Sequence, residues 1–167
     1  MKKQFLYDTR KGFTLIELLI VIAIIAILAG VAFVALNPLG RFQDARDSRR
    51  WSDVTALTDA IKVNQVDRGG SYLFAITNAA TGTNFIISNA TTTTGCNLSC
   101  DVTASSSCIN LQGFVDQGYL ASLPVSPNGT GNWSLTYTGY YLSHATTGSV
   151  TIGSCESENT SSISISR

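Results

Sequence analysis

The sequence predicts an α+β fold in which a long N-terminal helix packs on a small C-terminal antiparallel β-sheet. Three observations predict it. Residues Phe13–Leu36 form a run of 24 residues in which Glu17 is the only charged side chain. Residues 37–68 change to the spacing of an amphipathic helix. Residues 69–167 are rich in Ser, Thr, Asn and Gly, with short alternating apolar runs that are typical of strands.

The apolar run predicts a membrane-spanning helix, because about 20 apolar residues cross a hydrocarbon layer of about 30 Å. A carboxylate inside lipid is costly, so Glu17 is a candidate functional residue. If the chain is cut after Gly12, the new amine lies on Phe13, one helical turn before Glu17. The amine and the carboxylate could then pair, within one chain or between neighbouring chains.

The stretch Lys11-Gly12-Phe13-Thr14-Leu15-Ile16-Glu17-Leu18 resembles the processing and assembly motif of type IV prepilins and type II secretion pseudopilins. The resemblance implies that a prepilin peptidase removes a leader, residues 1–12, and methylates the amine of Phe13. It also implies that Glu17 guides each subunit into a helical filament of copies of itself, with the help of inner-membrane assembly machinery. Residues 13–36 would then be both the transmembrane and the filament-core helix.

The same resemblance, together with the cysteines, places the N-terminus in the cytoplasm and residues 69–167 outside it as a β-rich head. The chain would be a single-pass protein of the inner, or cytoplasmic, membrane before assembly. It would be an extracellular or periplasmic filament afterwards. Lys and Arg do not decide the orientation, since the leader and the flank after Leu36 each carry four of them.

The predicted helix has weak points at Gly30 and in the segment Asn37-Pro38-Leu39-Gly40, and the candidate break residues are Gly30, Pro38 and Gly40. Pro38 lacks an amide donor and crowds the carbonyl of Val34, which kinks or breaks a helix. We therefore expect residues 30–40 to be helical but weak. The amphipathic helix should end at Gly69-Gly70. Its opposed charges at helical spacing, such as Asp47 with Arg50, are expected on a solvated face.

The head is predicted to contain strands that pack on the amphipathic helix through one face of the sheet. The residues from Leu111 to Pro124 are expected to form a short helix or turn followed by a loop. The candidate strands are Tyr72–Ile76, Asn84–Ser88, Ser134–Thr138, Tyr140–Ser143, Ser149–Ile152 and Ile163–Ser166. The expected contacts join Trp51, Val54, Leu57 and Ile61 to Trp133, Leu135, Tyr137, Tyr141 and Leu142.

The four cysteines, Cys96, Cys100, Cys108 and Cys155, all follow the membrane run. An even number there favours disulfides in an oxidising space, and four cysteines allow three pairings. The alternatives are a zinc site with four thiolates, or one local bridge with two reduced, buried cysteines.

A second resemblance concerns a loop and the strand that follows it. Leu123-Pro124-Val125-Ser126-Pro127, followed by Gly139-Tyr140-Tyr141, resembles the Leu-Pro-x-Asp-Pro loop and Tyr-rich strand of pseudopilins and related short pilins. In major pseudopilins that region supports a calcium site, but here Ser126 replaces the aspartate. Calcium needs six to eight oxygens with several carboxylates. Residues 69–167 offer only Asp101, Asp116, Glu156 and Glu158, so no metal or other cofactor is expected.

Two function classes are not expected. No Lys or Arg lies between Gly69 and Ser166, so the head has no basic patch for nucleic acid. The single histidine, His144, is next to no obvious nucleophile pair, and the sequence has no phosphate-binding loop, so the chain is not expected to be an enzyme.

The sequence therefore predicts a structural subunit of an extracellular type IV pilus or related filament, assembled through its N-terminal helix after leader removal. One alternative is a pseudopilin of a type II secretion system. An alternative of another class is a bitopic membrane protein that never polymerises and whose β domain binds a ligand.

Overall fold

The computed structural model describes residues 12–90, 95–96 and 100–167. It confirms the α+β class, with a long N-terminal helical segment followed by a small sheet. The helices are α1 (Leu15–Leu36), α2 (Pro38–Asp67), α3 (Phe74–Thr77) and α4 (Gln112–Asp116). The strands are β1 (Asn84–Ser88), β2 (Ile109–Asn110), β3 (Tyr140–His144), β4 (Val150–Ser154) and β5 (Ser164–Ser166). One compact unit ends at Leu39, and a second comprises Gly40–Arg167.

The interruption between α1 and α2 lies at Asn37, whose φ of 38° is left-handed. The residue before a proline is pushed out of the helical region, and Asn tolerates the left-handed one. Pro38 then starts α2, a position that requires no amide donor. Gly30 and Gly40, two of the three predicted break residues, lie inside α1 and α2. A single Gly costs a helix only about 1 kcal/mol relative to Ala, which is less than Pro costs.

The end of α2 confirms the predicted stop at two glycines. Gly69 and Gly70 have φ of 66° and 97°, which suits residues without a Cβ. The Gly69 amide donates to the Val66 carbonyl at 3.1 Å, and the Gly70 amide donates to the Gln65 carbonyl at 2.8 Å. These two bonds satisfy the last carbonyls of the helix in the manner of a Schellman motif.

The sheet has five strands in the order β2-β1-β3-β4-β5. Three neighbouring pairs are antiparallel, but β1 and β2 are parallel, with Ile87 opposite Ile109. The sheet is therefore mixed, whereas the sequence predicted an antiparallel one. A parallel pair needs a long crossover connection, and the prediction took account only of the short ones.

Four of the six predicted strands are confirmed within two residues at each end, as β1, β3, β4 and β5. The prediction over Tyr72–Ile76 is wrong, because α3 begins at Phe74. The prediction over Ser134–Thr138 is also wrong, because Ser134 and Tyr137 bond to each other through their backbones in a turn. The apolar residues of these two segments belong to a short helix and to a turn. The strand β2 was not predicted, and α4 lies within the segment expected to form a short helix or turn.

The main core of the second unit joins α2 to one face of the sheet. Val54, Leu57 and Ile61 lie in one buried cluster with Tyr140 and Leu142. The aromatic residues Trp133, Tyr137 and Tyr141 lie instead in a second cluster, with the cysteines. Tyr141 lies between Tyr140 and Leu142 on β3, and successive strand residues point to opposite faces.

The predicted contacts between α2 and the head are therefore only partly correct. Trp51 and Leu135 do not belong to the buried core, since they are 38% and 48% exposed. The aromatic residues were assigned to the helix-facing side by composition, which does not distinguish the two faces of a sheet.

All four cysteines form disulfides. The pairs are Cys96–Cys108 and Cys100–Cys155, which is one of the three pairings that the sequence allowed. Both bridges belong to the second buried cluster, where Trp133 and Ile86 pack against them.

Candidate processing and assembly site

The predicted cleavage point directly precedes α1. Gly12, Phe13 and Thr14 have no regular secondary structure, and the Phe13 side chain is 90% exposed. A Cβ built on Gly12 would meet no atom within 4 Å. The Gly12–Phe13 bond is therefore accessible, and the fold itself does not require glycine at this position. The rest of the predicted leader, residues 1–11, lies outside the described residues.

Thr14 and Glu17 form a capping box at the start of α1. The Thr14 amide donates to Glu17 Oε2 at 2.8 Å, and the Thr14 hydroxyl donates to the same oxygen at 2.7 Å. The Glu17 amide donates in return to Thr14 Oγ1 at 3.3 Å. These bonds satisfy amides that the first turn of a helix leaves unpaired, and the helix dipole favours the anion there.

The role of Thr14 was missed by the sequence reasoning, although its signal was present. Thr followed by Glu three residues later, before an apolar run, is the pattern of a capping box. The partner predicted for Glu17 was the amine of Phe13. In the uncleaved chain this nitrogen is an amide, so that pairing remains a prediction for the processed protein.

The surface of α1 is apolar all round. Across its 22 residues, all of which the structure describes, no residue is buried. A helix that is hydrophobic on every side lies either in a membrane or in the core of an assembly. At 1.5 Å per residue its length is about 33 Å, which matches a hydrocarbon layer of about 30 Å. The helical segment Leu15–Asp67, within the described chain, is long and apolar enough to cross a membrane by length and composition alone.

Three of the four carboxylates considered for calcium, those of Asp116, Glu156 and Glu158, have protein partners. Glu158 accepts hydrogen bonds from Arg46 and Arg50, and Glu156 also accepts one from Arg50. The Asp116 carboxylate accepts a bond from Gln112 at 3.2 Å. Among the residues that the structure describes, no group of three or more His, Cys, Asp or Glu side chains could hold a metal ion.

The prediction that Asp47 and Arg50 lie on a solvated face is wrong. The Arg50 side chain has no exposed surface, and that of Asp47 is 4% exposed. The partners that bury Arg50 come from the loop before β3 and from the segment after β4, about 75 to 110 residues away along the chain. Helical spacing alone could not identify them.

Residues 8–33 match the family described as the prokaryotic N-terminal methylation motif. These residues include Gly12, Phe13, Thr14 and Glu17, the residues whose geometry is described above. Comparisons with curated proteins and with solved structures gave no match.

The family match and the geometry both indicate that the N-terminal segment is a site of processing at the start of an apolar helix. The motif implies processing by a prepilin peptidase and assembly into filaments with membrane machinery, and the apolar N-terminal helix fits membrane anchoring. The chain therefore carries a prepilin leader and methylation motif of the kind found in type IV pilin-like and pseudopilin precursors.

Proposed function

We propose that this chain is a structural subunit of an extracellular type IV pilus or related filament. Copies of the chain would associate through α1 after removal of residues 1–12. The observation that carries the proposal is the methylation motif at the start of a 22-residue helix none of whose residues is buried. Such a helix needs an apolar partner along its whole length, and lipid and neighbouring copies of α1 can each supply one.

Exchange of lipid for neighbouring helices lets α1 leave the membrane without exposing its apolar side chains to water. The subunit would wait in the membrane with its head outside the cytoplasm. On assembly α1 would move into the core of the fibre, where apolar burial is retained. The transfer of apolar surface is therefore close to neutral, and the polar groups decide whether a subunit is accepted.

Glu17 is the polar group that would make assembly selective. A buried carboxylate without a cation is heavily penalised. Thr14 already donates two hydrogen bonds to Glu17 Oε2, so the capping box supplies part of the polar environment. The methylated amine of Phe13 would supply the positive charge from the same chain or a neighbour. Where the amine belongs to a neighbour, only one axial position along the fibre brings the two groups together, and this contact would then set the register of the subunits.

The head would act as the exposed, non-catalytic surface of the fibre. Its two disulfides suit an oxidising space outside the cytoplasm. We also propose that it binds no nucleic acid, because the residues between Gly69 and Ser166 include no Lys or Arg.

A pseudopilin of a type II secretion system is the second candidate, favoured by the loop Leu123–Pro127 that resembles the pseudopilin loop. Both candidates share cleavage, methylation and assembly. They differ in where the polymer lies, since a pilus extends from the cell surface and a secretion pseudopilus stays in the envelope.

Surface shearing tests the proposal. Cells that express the protein at its native level are sheared, the fibres are pelleted, and the pellet and membranes are probed with an antibody to the head. A pilus subunit is expected in sheared fibres that the antibody decorates in electron micrographs. Polymers retained in the envelope would favour the pseudopilin. Protein that stays monomeric in the membrane would contradict both and favour the bitopic, ligand-binding alternative.

A further inference from the structure

Arg50 on α2 donates two hydrogen bonds to the loop Leu123–Pro127. The Arg50 Nε donates to Ser126 Oγ at 3.1 Å, and its Nη2 donates to the Pro127 carbonyl at 3.0 Å. Ser126 is buried, and its amide donates to the Thr138 carbonyl at 2.8 Å. Ser126 stands where the pseudopilin loop carries an aspartate. The residue that replaces the aspartate therefore contacts a cation that belongs to the chain itself.

The guanidinium of Arg50 has three further partners, all carboxylates. Nη1 donates to Asp47 Oδ1 at 2.7 Å and to Glu158 Oε1 at 2.9 Å, and Nη2 donates to Glu156. A guanidinium has five N–H donors in a fixed planar fork. Five oxygens from five residues accept them here, so the donor capacity of Arg50 is completely used.

Charge balance explains why this cation is retained in a buried place. Three carboxylates surround Arg50, and Arg46 adds a second positive charge through its bonds to Glu158. Backbone amides stabilise the remaining negative charge. Asp47 accepts from the amides of Glu158, Asn159 and Thr160. Glu156 accepts from the amides of Gly129, Thr130 and Gly131.

The oxygens do not suit calcium, the ion that the resemblance of the Leu123–Pro127 loop implies. Calcium is held by six to eight oxygens that converge on one point at about 2.3–2.6 Å. The five oxygens here lie around the edge of a planar fork, each at hydrogen-bond distance from a different N–H of Arg50. The loop carries a hydroxyl and a carbonyl where a calcium loop would offer a carboxylate.

We propose that Arg50 is an internal replacement for calcium, so that this head holds the Leu123–Pro127 loop and the segment Glu156–Thr160 on α2 without a metal ion. The guanidinium supplies the positive charge, and the five oxygens accept its hydrogen bonds as they would otherwise coordinate a cation. This inference concerns the compact unit Gly40–Arg167 alone and does not depend on filament assembly.

The test is the thermal stability of the full-length, detergent-solubilised protein with excess EDTA and with millimolar calcium chloride, followed by tryptophan fluorescence. Wild-type protein is expected to unfold at the same temperature in both, and calorimetric titration with calcium is expected to show no binding. An unfolding temperature that falls in EDTA and recovers with calcium would overturn the proposal.

Substitutions of Arg50 test whether this side chain supplies the cation. Arg50→Met removes the charge but keeps a long apolar side chain, and we expect the unfolding temperature to fall by about 10–15 °C. Arg50→Lys keeps the charge with three donors instead of five. Its unfolding temperature should lie between those of the wild type and of Arg50→Met. The matched control is Arg49→Met, because Arg49 is mostly exposed and its pair with Asp53 spans 3.5 Å.

The two sets of measurements decide the proposal together. Arg49→Met should unfold within a few degrees of wild type, because the Arg49 side chain is 67% exposed and Asp53 keeps its hydrogen bond from the Tyr140 hydroxyl. An Arg50→Met protein as stable as Arg49→Met would overturn the role of Arg50. If Arg50→Met does not fold, Arg50→Lys takes its place, and an Arg50→Lys protein that unfolds at the same temperature as Arg49→Met would also overturn it.

Discussion

The Thr14 hydroxyl donates a 2.7 Å hydrogen bond to Glu17 Oε2, three residues further along the chain. Glu17 thus has a local role in the single subunit, as part of the cap of α1, in addition to the charge proposed to guide assembly. The two roles can be separated by substitution, because Gln fills the same position of a capping box without carrying a charge.

We expect Glu17→Gln and Glu17→Ala to insert in the membrane but to be absent from sheared fibres. Gln keeps the cap, and Ala removes both the cap and the charge. If the charge is decisive, the two variants should be equally defective. The measurement is the amount of head antigen in sheared and membrane fractions, with Thr14→Ser as a control that keeps the hydroxyl donor. Wild-type amounts of fibre from Glu17→Gln would show that the cap, and not the charge, is needed.

A side chain at Gly12 is expected to block leader removal without disturbing the fold. A Cβ at this position would meet no atom within 4 Å. Gly12→Leu should therefore leave the head folded and the protein membrane-bound, while its mass remains that of the full precursor. Intact-protein mass spectrometry measures this directly. Efficient cleavage of the variant would show that the processing site lies elsewhere.

The N-terminal segment was largely predictable from the sequence because its determinants are local. An apolar run, a single carboxylate and the residues around Gly12 define it without any information on tertiary contacts. Even the capping box is a pattern over four residues. The break lies within the segment Asn37–Gly40 that was predicted to be weak, but its exact position at Asn37 was not predicted, since it depends on how Pro38 restricts the residue before it.

The hydrogen bond between Tyr140 and Asp53 links β3 to α2 in the core. The Tyr140 hydroxyl donates to Asp53 Oδ2 at 2.7 Å, and Tyr140 has no exposed surface. Burial, together with this bond to Asp53, raises the pKa of Tyr140, which keeps the hydroxyl protonated as a donor. Tyr140→Phe would leave the buried carboxylate without this donor and should lower the free energy of unfolding by about 1–3 kcal/mol.

Tyr119→Phe is the matched control for this substitution. The Tyr119 hydroxyl also donates to a carboxylate, that of Asp67 at 2.9 Å, but this bond is exposed to solvent. Its loss should change the free energy of unfolding by less than about 1 kcal/mol, because water replaces the donor. Urea unfolding of both variants in detergent provides the comparison, and equal effects would contradict the importance of burial at Tyr140.

The two disulfides should stabilise the head unequally. Cys100–Cys155 joins residues 55 positions apart, and Cys96–Cys108 joins residues 12 apart. The chain-entropy account gives about 4 kcal/mol for the longer loop and about 3 kcal/mol for the shorter one. Replacing each pair by serine and measuring urea unfolding tests this order. A greater loss from the Cys96–Cys108 pair would contradict it, and non-reducing peptide mapping verifies the pairing itself.

Acid should weaken the attachment of the Glu156–Thr160 segment to α2. The bond from Arg46 lowers the pKa of Glu158 below its usual value. Burial would raise the pKa of Asp47 and of Glu156, but backbone amides and Arg50 outweigh it and lower both. A carboxylate whose pKa is lowered in the folded protein contributes its full stabilisation at pH values above the unfolded pKa of about 4. This contribution is lost as the pH falls through the pKa of the folded state.

We therefore expect the unfolding temperature to be nearly constant between pH 7 and about pH 5 and to fall steeply below about pH 4. Glu158→Gln cannot titrate, so this variant should be less stable at neutral pH and show a shallower acid transition. A wild-type unfolding temperature that does not change on acidification, or an unchanged slope in Glu158→Gln, would argue against this network.

The head was less predictable, because its key contacts join residues far apart in the chain. Alternation located β1, β3, β4 and β5, but it could not distinguish strands from α3 or from the turn at Ser134–Tyr137. The helical spacing indicated that Asp47 and Arg50 share one face of α2. It could not indicate that loops more than 70 residues away in the chain bury this face. The cysteine count predicted disulfides, and only the fold selected their pairing.

The most direct test of the account is the mass of the N-terminal peptide of the protein purified from sheared fibres. We predict a peptide that begins at Phe13 and carries a methyl group on its amine, with residues 1–12 absent. A protein that keeps residues 1–12 and is recovered only as a membrane-bound monomer would contradict assembly through a freed N-terminus and Glu17.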